Sequence, residues 1–315
     1  MENLIYSLNA TVPVFLVMVV GWILKQIGML NDNFVATSNK FNFKVTLPIL
    51  LLCDLSSMDI YSLFDMKFMV FCVVVTFICI GSVWVLGKLV IKDKNSVGSF
   101  IQGSFRGSVA VLGVAFVQNI YGDSGLTPLM LIASVPIYNI FSVIVLTFNA
   151  QNNSGNQSEK IKQAIHNICT NPIILGILAG AICSVLRISF PPIVDKTLNS
   201  FAHMATPLAL VAIGAGFNGT KALGKIKETL LATLIKLVVQ PLVFLPIAIY
   251  FGFRNQELIA ILIMLGAPTT ASSYIMAKNM DNDDVLASSI IVATTLLSSI
   301  SLTFFIYLLR CLGTV

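Results

Sequence analysis

Gly266-Ala267-Pro268-Thr269-Thr270-Ala271-Ser272-Ser273-Tyr274 interrupts an apolar run that is otherwise long enough to cross a bilayer, and its reading decides the fold. Pro268 has no N–H and its ring clashes with the carbonyl four residues back, on Met264, so backbone groups there need different partners. In hydrocarbon such groups are tolerated only against protein, water or ligand. A second break stands 160 residues earlier in Gly103-Ser104-Phe105-Arg106-Gly107-Ser108-Val109-Ala110-Val111-Leu112-Gly113, with Ser108 opposite Pro268. Two interrupted helices in matching positions are the best sequence pointer to a transport site. Close packing is the competing reading, because Gly103 and Gly107 form a GxxxG that lets membrane helices approach without a ligand. Packing alone does not require Thr269, Thr270, Ser272 and Ser273 together.

The pairing runs the length of the chain. Thr11-Val12-Pro13 followed by Gly21, and Thr170-Asn171-Pro172 followed by Gly180, are offset by 159 positions, as are Pro48 and Pro207, while Asn119 and Asn279 are offset by 160. A fixed offset of this size marks an internal structural repeat. With 57% hydrophobic and 10% charged residues and a mean hydropathy of +0.91, the solvent of this chain is lipid. Apolar runs predict ten membrane helices over about 4–24, 39–53, 66–90, 98–121, 126–149, 172–187, 197–217, 228–252, 257–279 and 284–309. The first run has no basic segment before it and is long enough to be a retained span rather than a signal peptide. Residues 1–150 form a first five-helix repeat, the polar stretch 151–171 a cytoplasmic linker, and 172–315 a second repeat.

Twelve lysines fall in the odd-numbered loops, whereas the even loops and the C-terminal tail hold Lys67, Arg187, Lys196, Arg254 and Arg310. The excess makes the odd loops cytoplasmic and both termini extracytoplasmic in a multi-pass cell-membrane protein. Five crossings per half is an odd number, so the second repeat is inverted relative to the first, the arrangement that lets one site open to either face. The net charge of +5 comes from these short loops and fits lipid headgroups rather than nucleic acid.

Arg106 lies about nine residues into helix four, ~13 Å deep at ~1.5 Å per residue. A cation there faces a cavity, or else holds carbonyls or the end of another helix. Lys236 in helix eight poses the same choice between a ligand, snorkelling and helix carbonyls. The acids Asp54, Asp59, Asp65, Asp123, Asp195, Glu257, Asp281, Asp283 and Asp284 all read as helix ends or loops, which leaves no carboxylate at mid-bilayer to hold a coupling cation. Cations without acids suit an anionic or neutral solute, and half-helix N-termini favour a carboxylate. Ser134, Pro136, Tyr138 and Asn139 break helix five, and Thr294, Thr295, Ser298 and Ser299 break helix ten. The hydroxyls can satisfy their own helix, whereas Asn139 needs either an interhelical bond or a ligand.

Other classes fit poorly. Six cysteines without CxxC spacing and two histidines, His166 and His203, read as buried thiols rather than a metal site, and no cofactor is expected. An intramembrane hydrolase needs a nucleophile with its base, paired carboxylates or a metal, which these residues do not supply. Gly219 to Lys225 matches GxxxxGK, but Ile226 stands where a nucleotide-binding loop needs Ser or Thr.

Phe43-Lys44-Val45-Thr46-Leu47-Pro48, Phe105-Arg106-Gly107 with Gly113, Pro136-Ile137-Tyr138-Asn139, Asn171-Pro172, Thr206-Pro207-Leu208-Ala209-Leu210 and Ala267-Pro268 running on to Ala277-Lys278 occur in an order that resembles the auxin efflux carrier family. That family contains the plant PIN-FORMED carriers and bacterial permeases for malate or malonate. The resemblance implies two inverted five-helix repeats working as an elevator. Helices one, two, six and seven would form a scaffold that often dimerises, and helices three to five and eight to ten a moving transport unit. It also implies an organic anion bound beside the crossing of helices four and nine. Ser108 stands where the family usually has Asn, Tyr138 where a helix-five Tyr lines the site, and Pro268-Thr269 where helix nine opens. Ala115 replaces the family's usual helix-four proline and Ser273 a second helix-nine proline of the plant carriers, which leaves open whether helix four unwinds. The missing amide at Ser108 points away from an auxin-like substrate. The expected carrier takes small organic anions such as dicarboxylates, through Arg106, Ser108, Gly113, Ser134, Tyr138, Asn139, Pro268, Thr269, Thr270, Ser272 and Ser273. A sodium- or proton-coupled symporter of the bile-acid symporter-like fold is the alternative.

Overall fold

The computed structural model of the chain describes residues 2–57, 65–109, 117, 126–150, 165–166 and 169–315, with side chains from Val12 onward. Among these residues every regular element is helical. In chain order they are α1 (Glu2–Gln26), α2 (Asp32–Phe41), a π turn (Asn42–Thr46), α3 (Leu47–Ser56), α4 (Met66–Val90), α5 (Lys94–Phe105) and α6 (Thr127–Phe148). Then follow α7 (Pro172–Val185), α8 (Pro192–Gly216), the short α9 (Gly219–Leu223) and α10 (Ile226–Leu234). A second π turn (Ile235–Val239) leads into α11 (Gln240–Tyr250), α12 (Asn255–Gly266), α13 (Ser272–Asn279) and α14 (Asp284–Cys311). Five stretches are long and apolar enough to cross a membrane: Met66–Val90, Thr127–Phe148, Pro192–Gly216, Ile226–Tyr250 and Asp284–Cys311.

The helices begin where short acceptors precede apolar runs. Asn31, Asp65, Asp93, Asn171 and Asp283 each accept a backbone N–H of the first turn that follows them, so several polar residues of the loops are helix caps. Both π turns sit just before a proline, at Leu47-Pro48 and Gln240-Pro241. A proline cannot donate to the carbonyl four residues back, and here the chain absorbs the loss by letting Leu47 donate to Asn42 and Gln240 to Ile235, one residue further than in an α-helix.

Element bounds recur at the interval read from the sequence. The continuous helical stretch from Asp32 to Ser56 returns as Pro192–Gly216, Met66–Val90 returns as Ile226–Tyr250, and α5 and α12 are both 12 residues long and start 161 positions apart. Close backbone approach relies on glycine: a Cβ on Gly214 would stand 1.8 Å from the Met18 carbonyl oxygen, and one on Gly176 2.4 Å from that of Pro48. Gly180 in turn meets Leu52, so α3 and α7 advance together and run in the same direction.

The buried apolar residues form two clusters. One joins α4, α5, the outer part of α6, α10 to α12 and much of α14 around Phe68, Phe100, Phe105 and Ile261. The other joins α1, α3, α7 and α8 to one side of α6, α13 and α14 around Leu47, Ile177, Ala209 and Ile275.

The loops segregate to two ends. At one, Lys225 pairs with Asp93 (2.6 Å) and Asp283 (3.1 Å), Asn282 donates to the Leu146 carbonyl, and Asn279 donates to that of Asn39. At the other, Phe253 packs on Phe68 and Phe71, and Asn255 bonds Thr314. Among the described residues, the first, third, seventh and ninth loops thus share one end. There, the hydrogen bond from Lys225 holds the Asp93 carboxyl below the usual carboxylate range. Burial pulls the Lys225 ammonium down, but the bonds from Asp93 and Asp283 outweigh it and lift it above its ordinary value. Lys225 of the GxxxxGK match is therefore an ion-pair hub.

Candidate functional site

Helix α5 ends at Phe105, where Arg106 turns extended (φ −78°, ψ 131°), and α12 ends at Gly266, where Ala267 does the same (φ −64°, ψ 145°). The two interruptions meet: Ser108 donates its N–H to the Pro268 carbonyl at 2.7 Å. The residue pair matched by the repeat offset is thus in direct contact.

No proline ends α5. Instead its last carbonyls are taken by side chains from elsewhere. Thr269 Oγ1 donates to Gly103 (2.7 Å), Gln240 Nε2 to Ser104 (2.9 Å) and Lys236 Nζ to Phe105 (3.2 Å). The Met264 carbonyl, deprived of its partner by Pro268, accepts from Tyr138 Oη (3.2 Å) and Lys236 Nζ (3.3 Å). Buried carbonyls at a helix end demand such partners, and their presence lets both helices stop inside the molecule. The open question about Lys236 resolves toward carbonyl binding. It is fully buried on the second π turn, which aims Lys236 and Gln240 at the same helix end.

Beside the meeting point lies a cavity of about 180 Å³. Arg106, Gly107, Ser108, Tyr138, Asn139, Thr270 and Ser272 form one wall, and Leu47, Leu50, Leu51, Asp54, Thr206 and Ala209 face them from α3 and α8. Arg106 is 5% exposed. One guanidinium nitrogen donates to Asn139 Oδ1 (2.5 Å) and another points to the Met276 sulfur. Among the described residues no carboxylate pairs with it. A guanidinium has five N–H donors, so this one is held in place with donors to spare. The Asn139 amide nitrogen is taken by its own helix, at Val135 O (2.9 Å), which fixes the carbonyl toward Arg106.

The expected site residues therefore divide. Arg106, Ser108, Tyr138, Asn139, Thr270 and Ser272 line the cavity. Pro268 and Thr269 shape the crossing from behind it: Pro268 accepts from Ser108, and Thr269 bonds Gly103 and receives the Thr294 hydroxyl on its N–H. Ser134 bonds the Met130 carbonyl of its own helix. Ser273 is buried with its hydroxyl unbonded, away from the cavity. Gly113 and Ala115 lie outside the described residues. Asp54 lies in the last turn of α3, the helix end expected for it, but it also lines the cavity, which the sequence reading did not expect of a carboxylate. Leu47, Leu50, Leu51 and Asp54 follow helical spacing, and that stripe was the available signal.

A family profile described as "Membrane transport protein" matches residues 6–306. An "Uncharacterized transporter" of Methanothermobacter thermautotrophicus is 22% identical over 299 residues, covering 94% of this chain and 96% of that protein. A "Putative malonate transporter" of Rhizobium meliloti is 23% identical over 281 residues, 86% of each chain. The "Uncharacterized transporter YfdV" of Escherichia coli K12 is 22% identical over 287 residues, 88% of this chain and 90% of that one. With an all-helical fold, five apolar spans and a family match over nearly its whole length, the chain belongs to the membrane transport protein family, the auxin efflux carrier group that its motifs resemble.

Proposed function

We propose that this chain is a secondary carrier of small organic anions such as dicarboxylates, working by elevator-type alternating access. The observation that carries the reading is Arg106: a buried guanidinium without a carboxylate partner among the described residues, on the wall of a cavity at the meeting of two interrupted helices. A fixed cation with free donors in a low-dielectric site attracts a carboxylate and can bind it bidentately. Helix α13 begins at the same wall, with Thr270, Ala271 and Ser272 lining it, and adds the partial positive charge of a helix N-terminus. At ~30 Å³ per water the space equals about six waters, room for a short dicarboxylate. The name of the Rhizobium relative points to the same class.

The recurring element bounds support two repeats of five crossings, and the parallel course of α3 and α7, in spans two and six, agrees with three crossings between them. The two apolar clusters support a scaffold of spans one, two, six and seven beside a transport unit built from the rest. Exposed Leu16, Val20, Leu178 and Ile182 on α1 and α7 give that scaffold a lipid face or a homodimer surface. The lysine-rich end is assigned to the cytoplasm of a cell membrane, with both termini outside.

Uptake of labelled malonate into liposomes carrying the purified protein tests the reading. Arg106→Ala should lower uptake at least tenfold, and equal uptake by this variant across a panel of organic anions would overturn the site. Asp54 favours the proton-coupled version of the alternative, because a carboxylate facing an anion cavity must be neutralised for a dianion to load.

A further inference from the structure

The crossing holds a second cation besides Arg106, and its surroundings are unusual for a lysine. Lys236 Nζ has three kinds of neighbour: the Phe105 carbonyl at the end of α5 (3.2 Å), the Met264 carbonyl near the end of α12 (3.3 Å), and the face of the Tyr138 ring, 6.0 Å from its centroid. Each favours positive charge, the carbonyls because helix C-termini carry partial negative charge and the ring through its quadrupole. Among the described residues no carboxylate pairs with it. The fold also makes room for it. The π turn points it inward, and Gly107 leaves the space, since a Cβ there would lie 3.1 Å from Nζ.

Carbonyls at the C-terminal ends of interrupted membrane helices are the groups that coordinate coupling cations in carriers. We propose that the junction of α5 and α12 is a monovalent-cation site which this chain keeps permanently filled with its own Lys236 ammonium. The site needs one positive charge to let two helix ends face each other in a low-dielectric interior, and the covalently tethered charge removes the need for a dissolved one. If the chain is the anion carrier argued above, on which this step rests, anion loading then requires no sodium or potassium. Because Gly107 and Tyr138, both beside Nζ, also line the cavity, the same charge adds to the field of Arg106 and suits a doubly charged guest.

The test has two arms. In the first, thermal unfolding of purified protein is followed in sodium, potassium, choline and methylammonium chlorides at one ionic strength, which needs no substrate. Wild type should melt at the same temperature in all four. Lys236→Ala should melt lower in choline and recover by several degrees as sodium or methylammonium rises, because a cation that binds only the folded state raises its stability. In the second, malonate uptake in choline medium should persist in wild type and Lys236→Arg, fall at least tenfold in Lys236→Gln, and recover severalfold in Lys236→Ala with methylammonium. A lysine with a merely structural role would show no cation-specific recovery. Sodium-dependent melting or uptake by wild type, or full uptake by Lys236→Gln in choline, would overturn the proposal. Should the Lys236 variants fail to fold, the wild-type sodium titration alone decides. Should wild type move no anion, the carrier reading fails, while the melting arm still judges the cation site.

Discussion

At the scale of single residues, the cavity sets one cation against one acid. Arg106 is held by Asn139 on the transport side, and Asp54 stands on the opposite wall. A dianion entering beside an ionised Asp54 is repelled, and protonation removes the repulsion. Wild-type malonate uptake should therefore rise as pH falls toward the ordinary carboxylate range, near about 4. Asp54→Asn keeps the shape and cannot ionise, so the ratio of variant to wild-type uptake should be several-fold at high pH and approach one at low pH. A constant ratio would remove Asp54 from coupling. Arg106 and Asn139 were legible in the sequence because they interrupt apolar runs. Asp54 was not, because it lies one residue past the predicted end of helix two and resembles any capping acid.

At the scale of elements, the interrupted helices are held open by partners rather than by prolines alone. Pro268 removes one bond from α12, and Tyr138 and Lys236 replace it. Pro268→Ala restores an N–H that can compete for the Met264 carbonyl and close the helix through the crossing. The variant should melt at the same temperature or higher while losing most of its uptake, a split that marks strain kept for function. Lower stability together with unchanged uptake would show the break to be structural only. The break in helix nine was readable from Pro268 itself. That helix four breaks was readable from its small and polar residues, but where it ends was not, since the cause lies in Thr269, Gln240 and Lys236, each far away in sequence. Neither π turn was foreseen, although each has a local cause in the proline that follows it.

At the scale of the whole molecule, the repeat interval of the sequence recurs in the element bounds, whereas contacts between the two apolar clusters had no signature in one sequence. The Lys225 hub lies among helices of the first apolar cluster, tying the starts of α5, α10 and α14. Asp93 is held below its ordinary range, so its contribution is present at neutral pH and lost as pH falls through that lowered value. Lys225 is held above its own, so its contribution is lost only as pH rises through the raised value. Lys225→Met should then cost about 1 kcal/mol at neutral pH, allowing for the exposure of both groups, and the melting difference from wild type should shrink below the carboxylate range. Contacts between the bodies carry the opposite expectation. Asn39 of α2 donates to Tyr274 Oη (3.3 Å), and Asn279 of α13 donates to the Asn39 carbonyl (3.4 Å). The proposed sliding of one body along the other would break these bonds in every cycle, and their length and neutrality keep that cost small. A double variant, Asn39→Cys with Asn279→Cys, bridged by mercuric ion in a background freed of native cysteines, should stop malonate uptake, and added thiol should restore it. Continued uptake with the bridge complete, measured on the same liposomes by gel shift, would mean that the two bodies do not move past each other there.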